Sequence, residues 1–397
     1  MKFERSEVIM ARTGTWALAG AGLALIATCY GLARFAYGLF VPAFRDAFGI
    51  GAAMAGVLGS MSYAAYCVGI LVSTLASPRW GSRRVAVAAG SLATVGTALV
   101  ALAPHEMMLG IGVVIAGAST GVASPPLAQA VSRAASPGRR DRIQTVINAG
   151  TGLGVVVSGP IALSARDQWR LAWLVFAVLC ALVTLWNARV IPSASRPGVS
   201  AAGVLPRPLF PEGAVRLLFA ALLTGAASSA TWVFGRDLLV SSGGLGDRES
   251  TTGWILLGAF GLVGAFAGDL VRSVGLRLAW PVTMLAMALA TALLAALPGV
   301  LGVAWVSMAT FGAAYIALTG MLLIWGTRVY ARSPAAGVGF AFLIIAAGQT
   351  VAAPLIGVLS DAVGPSVAFG AAALLALGTM VLRPPRASVA EVAVRPN

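Results

Sequence analysis

Charge is scarce in this sequence. Only 10% of its 397 residues are Asp, Glu, Lys or Arg, while 59% are hydrophobic and the mean hydropathy is +0.90. A soluble domain carries roughly a quarter charged residues, so this composition excludes one. Histidine occurs once, as His105, and cysteine three times, as Cys29, Cys67 and Cys180. Each cysteine sits inside an apolar stretch, without the spacing of a disulfide framework or a metal site. They read as small buried hydrophobes. No constellation of His, Cys, Asp and Glu supplies a nucleophile, a base or a metal cluster, and no polar segment is long enough for a catalytic domain. A membrane enzyme is therefore not expected, nor any metal or cofactor. A receptor or scaffold would carry a sizeable extramembrane domain, which is missing. A channel would show a ring of charges or a filter-like repeat, which are missing too. Lysine occurs once, as Lys2, so the choice of arginine at any one site carries little information.

What the chain does have is arginine, placed in alternation. Twelve apolar stretches are long enough for a bilayer, which takes about 20 residues each. They run over 16–41, 52–76, 85–103, 107–131, 143–165 and 170–190, then 215–238, 251–273, 278–297, 300–326, 335–360 and 365–382. Every second gap is basic: Lys2, Arg5 and Arg12; Arg79, Arg83 and Arg84; Arg133, Arg139, Arg140 and Arg142; Arg189, Arg196, Arg207 and Arg216; Arg272 and Arg277; Arg328 and Arg332; Arg383, Arg386 and Arg395. The opposite gaps hold only Arg45, Arg166, Arg170, Arg236 and Arg248. Short loops retain positive charge in the cytoplasm, so both termini are expected inside a cell (inner) membrane. The net charge of +14 is explained by topology and anionic headgroups, and nucleic acid is not an expected partner. No obligate protein partner is evident. The apolar segment Trp16 to Phe44 is longer than a signal-peptide core and reads as a first membrane helix.

The segment 191–214 is rich in Pro, Ser and Gly and reads as a cytoplasmic linker. It separates an N-terminal bundle of six helices, 1–190, from a C-terminal one, 215–382, with a tail at 383–397. The halves echo one another: Ser136-Pro137 and Ser333-Pro334 precede the fifth and eleventh spans. Gly154 and Pro160 in the one match Gly348 and Pro354 in the other. Parallel halves around a cavity are a transporter architecture. Small residues four apart (Gly117 and Gly121, Gly150 and Gly154, Gly264 and Gly268) predict close helix crossings.

With this layout the chain resembles the major facilitator superfamily over essentially its whole length. Pro78-Arg79-Trp80-Gly81-Ser82-Arg83-Arg84 is similar to the family's Asp-Arg-x-Gly-Arg-Arg loop, with Pro78 where the family places its Asp. Gly117-Ala-Ser-Thr-Gly121 resembles the fourth-helix glycine run, although Val113 stands where many members carry an Arg linked to proton coupling. Gly159-Pro160 is similar to an antiporter motif, and Trp169-Arg170-Leu-Ala-Trp173 to the family's start of the sixth helix. Gly31-Leu-Ala-Arg34-Phe35-Ala-Tyr37 resembles a poorly characterised bacterial branch. The resemblance implies an all-α membrane protein of twelve helices in two pseudo-symmetric bundles. It also implies that Arg79, Gly81 and Arg83 take part in conformational change.

Arg34 is the one formal charge well inside a span. An arginine at a helix centre costs about 2.5–3.5 kcal/mol on insertion scales, so such residues face cavities. On an α-helix Tyr30, Arg34 and Tyr37 share one face, a guanidinium between two phenols suited to capturing a carboxylate or phosphate. The alternative is that Arg34, about 9 Å outward of a midpoint near residue 28, snorkels to the headgroups. Tyr63 and Tyr66, Ser119 and Thr120, Asn148, Thr231 and Trp232, Tyr315 and Gln349 are further solute-binding candidates, Gln349 lying near its span's midpoint. Pro160 and Pro354 are expected to bend their helices. No Asp or Glu lies near a span's middle. Asp237 is expected to pair with its neighbour Arg236, Asp269 to form a gate or loop contact, and Asp361 to lie beyond the eleventh span. No proton site at depth is therefore expected. The function expected is a secondary or facilitative transporter moving a small organic anion. Efflux of amphipathic compounds or drugs is the alternative, and a non-transport receptor or scaffold a remote one.

Overall fold

Glycines with positive φ end several of the helices and set where the chain reverses. Gly49 (φ 65°) closes the first helix and Gly81 (φ 83°) the second, with Gly275 and Gly364 repeating the device in the second half. The computed structural model describes residues 15–165, 168–192, 208–264 and 266–385, and these residues contain helices and turns but no strand. Most of the expected linker and tail fall outside them, as do Lys2, Arg5, Arg12, Arg166, Arg196, Arg207, Arg386 and Arg395.

The helices are α1 Thr15–Phe48, α2 Ala52–Trp80, α3 Ser82–Ala101, α4 Glu106–Ala134, α5 Pro137–Ala165 and α6 Trp169–Val190. The second half has α7 Ala214–Ser241, α8 Asp247–Gly264, α9 Ala267–Val274, α10 Leu276–Ala296, α11 Leu301–Val329, α12 Pro334–Val363 and α13 Pro365–Thr379. Ten of these are long and apolar enough to cross a membrane; α8 and α9, bent by 49° at their junction, supply an eleventh crossing if taken as one span. The last, α13, has 15 residues and is shorter than a full crossing needs. The expected eighth span falls on this bent pair.

Within the first half, α4 packs against α2 and α3, and α6 against α3; within the second, α7 packs on α12, α8 on α11 and α10 on both α11 and α13. The halves meet chiefly along α2 with α12 and α5 with α8, a symmetric pairing of the second span with the eleventh and the fifth with the eighth. Glycine permits these meetings. A Cβ on Gly56 would come within 2.4 Å of the Ala353 carbonyl, beside Pro354, and one on Gly357 within 2.3 Å of the Ala52 carbonyl. Of the crossings read from the sequence, Gly117 and Gly121 press on α2, and Gly150 and Gly154 on α1. Gly264 presses on Ala313, whereas Gly268 faces open space.

α1 carries the local irregularity that matters most. Over Ala27–Phe35 it is a π-helix, and the Ala36 N–H bonds to the Gly31 carbonyl five residues back. Such bulges arise where a neighbour intrudes on the hydrogen-bond ladder, and they recur at functional sites. Here the Thr120 hydroxyl donates to the Cys29 carbonyl at 2.9 Å, and Gly31 lies against Gly154 so closely that a Cβ would stand 2.3 Å from its Cα.

Candidate functional site

Because α1 continues to Phe48, its midpoint is near residue 31 rather than 28. Arg34 then sits about 4 Å from the middle at 1.5 Å per residue. It does not snorkel. The side chain is 6% exposed and held by aromatic faces, with the guanidinium carbon 4.6 Å from the ring centroids of both Tyr63 and Tyr66 and 5.0 Å from that of Phe35. Its terminal nitrogen donates to Gln349 Oε1 at 2.9 Å, joining α1 to the centre of α12. Gln349 Nε2 donates in turn to the Ser228 hydroxyl and the Tyr315 hydroxyl, each at 3.3 Å. Among the described residues Arg34 Nε has no hydrogen-bond partner, and no carboxylate pairs with the guanidinium. A buried, unsatisfied donor on a cation is costly, and it is the kind of atom a ligand satisfies.

A cavity of about 70 Å³ lies against this group. Its wall includes Tyr30, Arg34, Tyr66, Tyr315, Thr319 and Gln349, with Phe35, Ile316, Phe342 and Ile345 as the apolar part. It extends from the Arg34–Gln349 contact toward the helix ends that carry the arginine-rich turns. On the other side it is sealed by Phe35 stacked on Trp232, ring centroids 4.0 Å apart.

Of the sequence candidates, Tyr30, Arg34, Tyr315 and Gln349 line the cavity together. Tyr63 supports the guanidinium from behind. Tyr37 does not share the Arg34 face: the π segment shifts the register, and the Tyr37 hydroxyl donates to the Ala55 carbonyl at 2.7 Å. Trp232 is a sealing ring, Thr231 is fully buried next to it, and Asn148 is exposed and accepts from Gln144. Tyr66, a broader candidate from the sequence, both faces the Arg34 guanidinium and lines the cavity.

The halves are fastened at and beyond this level, toward the arginine-poor end. Arg45 pairs with Asp237 at 2.5 Å, and Asp361 accepts from the Ala52 and Ala53 amides at 3.0 and 2.7 Å, capping the N-terminus of α2 from the other half. Arg236 reaches across to the Leu39 carbonyl at 2.7 Å, and Trp254 donates to Ser158 at 3.2 Å. The expected Arg236–Asp237 pair is thus replaced: Arg236 pairs with Asp247, since adjacent helix positions point apart while α1 brings Arg45 to Asp237. Asp361 belongs to the last turn of α12 rather than lying beyond it. Asp269 pairs with Arg272 on its own helix, both exposed, and so links nothing across the halves. Arg79 is exposed, Arg83 half-buried, and Gly81 supplies the positive-φ turn between α2 and α3. Pro160 and Pro354 lie inside unbroken helices, Pro354 at the crossing with Gly56.

A charge at a helix N-terminus contributes about 0.3–2 kcal/mol. Asp361→Asn should therefore weaken the closed arrangement about two- to thirty-fold, seen as faster hydrogen exchange at the amides of residues 52–56. Unchanged exchange would show that Asp361 does not fasten the halves.

Two helical halves closed at one end over a central cavity define a membrane carrier. Residues 23–346 match the family model described as Major Facilitator Superfamily. The chain belongs to that superfamily. Its fold is similar to a solved structure of the nucleoside transporter NupG, at 14% identity and TM-score 0.73, with 93% of this chain and 98% of that one covered. Another similar structure is a bacterial homolog of the human lysosomal transporter Spinster, in an inward-facing and unoccupied conformation. It is 16% identical with a TM-score of 0.71, covering 93% of this chain and 94% of that one. No curated protein matches the sequence. The protein is a multi-pass membrane transporter of small solutes, and not an enzyme.

Proposed function

We propose that the protein carries a small organic anion across the cell membrane by alternating access between its two halves, with the arginine-rich turns and both termini on the cytoplasmic side. The observation that carries this reading is Arg34: a mid-membrane guanidinium with an orphaned Nε, no carboxylate partner and a cavity in front of it. A carboxylate or phosphate would satisfy both its charge and its free donor. The contact between Arg34 and Gln349 spans the halves, so a solute that binds there touches both. The closure at the arginine-poor end corresponds, in this reading, to a carrier facing the cytoplasm. Cavities that bury a drug-sized molecule run to roughly 300–1,000 Å³. The space of about 70 Å³ beside Arg34 favours a small solute over efflux of bulky amphipathic compounds.

The test is counterflow in proteoliposomes with a panel of labelled anions of low membrane permeability, including pyruvate, succinate and phosphate. At least one is expected to exchange faster than in vesicles without protein. Exchange of none of them would overturn the anion reading.

A further inference from the structure

The charges around the cavity can be counted, and the count restricts the solute further than its sign does. One cation, Arg34, faces the space, and none of the residues lining it is an Asp or Glu. Asp237, toward the arginine-poor end, is already bonded to Arg45. Most polar groups of the wall are also engaged inside the protein. The Tyr30 hydroxyl is 2.9 Å from that of Ser124, the Thr319 hydroxyl donates to the Tyr315 carbonyl at 2.9 Å, and the Gln349 amide nitrogen is shared between Ser228 and Tyr315. Tyr66, Tyr315 and Thr151 add only neutral hydroxyls, and the rest of the wall is apolar: Phe35, Ile316, Phe342, Ile345 and Ala346.

Resting on the anion reading above, we propose that the site selects a monoanion with a short apolar tail, such as a small monocarboxylate, and rejects dianions and zwitterions. One carboxylate satisfies the guanidinium and replaces Gln349 Oε1 as its acceptor. A second carboxylate on the same solute would be buried beside apolar side chains without a counter-charge. An ammonium group fares no better. It meets no acid, it is repelled by Arg34, and the rings best suited to hold it, Tyr63 and Tyr66, already face the guanidinium. The tail rests on Ile316, Phe342 and Ile345, where methylene groups leave water for an apolar wall.

A matched series tests this, read as thermal stabilisation of the purified full chain in detergent at neutral pH, where membrane permeation plays no part. Butyrate, acetate, butyramide, succinate and 4-aminobutyrate vary charge and tail length at small size. Butyrate is expected to stabilise the fold most, with half-maximal concentrations for succinate, 4-aminobutyrate and butyramide at least about tenfold higher. Acetate should fall between. Succinate binding as well as butyrate would overturn the monoanion restriction and leave the anion reading standing. 4-Aminobutyrate binding as well would overturn the exclusion of zwitterions, and acetate matching butyrate would remove the role of the apolar wall. Butyramide matching butyrate, or no stabilisation by any anion, would overturn the anion reading itself.

Discussion

Gln349→Glu should abolish anion binding while leaving the protein folded and at least as stable as the parent. The substitution keeps the size of the side chain and places a carboxylate where the amide oxygen now stands, 2.9 Å from the Arg34 guanidinium. The site then carries its own anion. To bind a solute, Arg34 would have to release a buried, charge-assisted partner, and breaking such a pair costs roughly 3–5 kcal/mol. At about 1.4 kcal/mol per decade, this weakens binding by about two to three and a half orders of magnitude. Gln349→Met, similar in length and uncharged, removes the internal acceptor and should leave anion affinity within about tenfold of the parent. Stability should move the opposite way. The methionine leaves Ser228 and Tyr315 without their amide partner, whereas the glutamate neutralises a mid-membrane cation. Anion-induced thermal stabilisation and the melting temperature of the unliganded proteins are the two readouts. An anion response in Gln349→Glu equal to that of the parent would remove Arg34 from the binding site.

How far the sequence reaches is clearest at α1. Arginine alternation and apolar length locate the span, and a lone guanidinium among apolar residues marks the site, because both reflect solvation costs that any bilayer imposes. The sequence places the end of the span at 41, since Arg45-Asp46 looks like a loop. The helix instead runs to Phe48, with Arg45 stabilised by Asp237 from a residue almost two hundred positions away. That partner is a tertiary fact with no local signature. The π segment is equally silent in sequence. The Thr120 hydroxyl and Gly154 that meet it both come from other helices, and the Tyr37 hydroxyl bonds to the Ala55 carbonyl instead of joining the face that an α-helical wheel assigns it. Gln349 was legible because a single amide at the centre of an apolar span is as conspicuous as a charge. Asp361 was not, since an acid near a helix end reads as solvated until the N-terminus of α2 is seen to lie against it. The break between α8 and α9 likewise follows no proline and leaves no mark in hydropathy.

The glycines separate the packing of each half from the contact between halves, and Gly38→Ala should exploit that separation. A methyl on Gly38 would lie 2.0 Å from the Trp232 carbonyl oxygen, so α1 and α7 cannot stay in contact there unless backbone moves. The crowding is confined to an interface between halves, which can part without unpacking either core. Over-packing costs about 1–3 kcal/mol, enough to shift the balance between closed and open arrangements by roughly five- to more than a hundred-fold. Gly348→Ala is the control: its methyl would lie equally close, 2.0 Å, to the Leu222 carbonyl, but within the second half, where parting α7 from α12 means unfolding. Spin labels at Ala47→Cys and Ser242→Cys, both exposed on opposite halves at the arginine-poor end, report the separation once the three native cysteines are replaced. Gly38→Ala should lengthen that distance with little loss of melting temperature. Gly348→Ala should lower the melting temperature and leave the distance unchanged. If Gly38→Ala left the distance where it was and destabilised the fold like the control, the contact would belong to a rigid core, and the two halves would not part at this end at all.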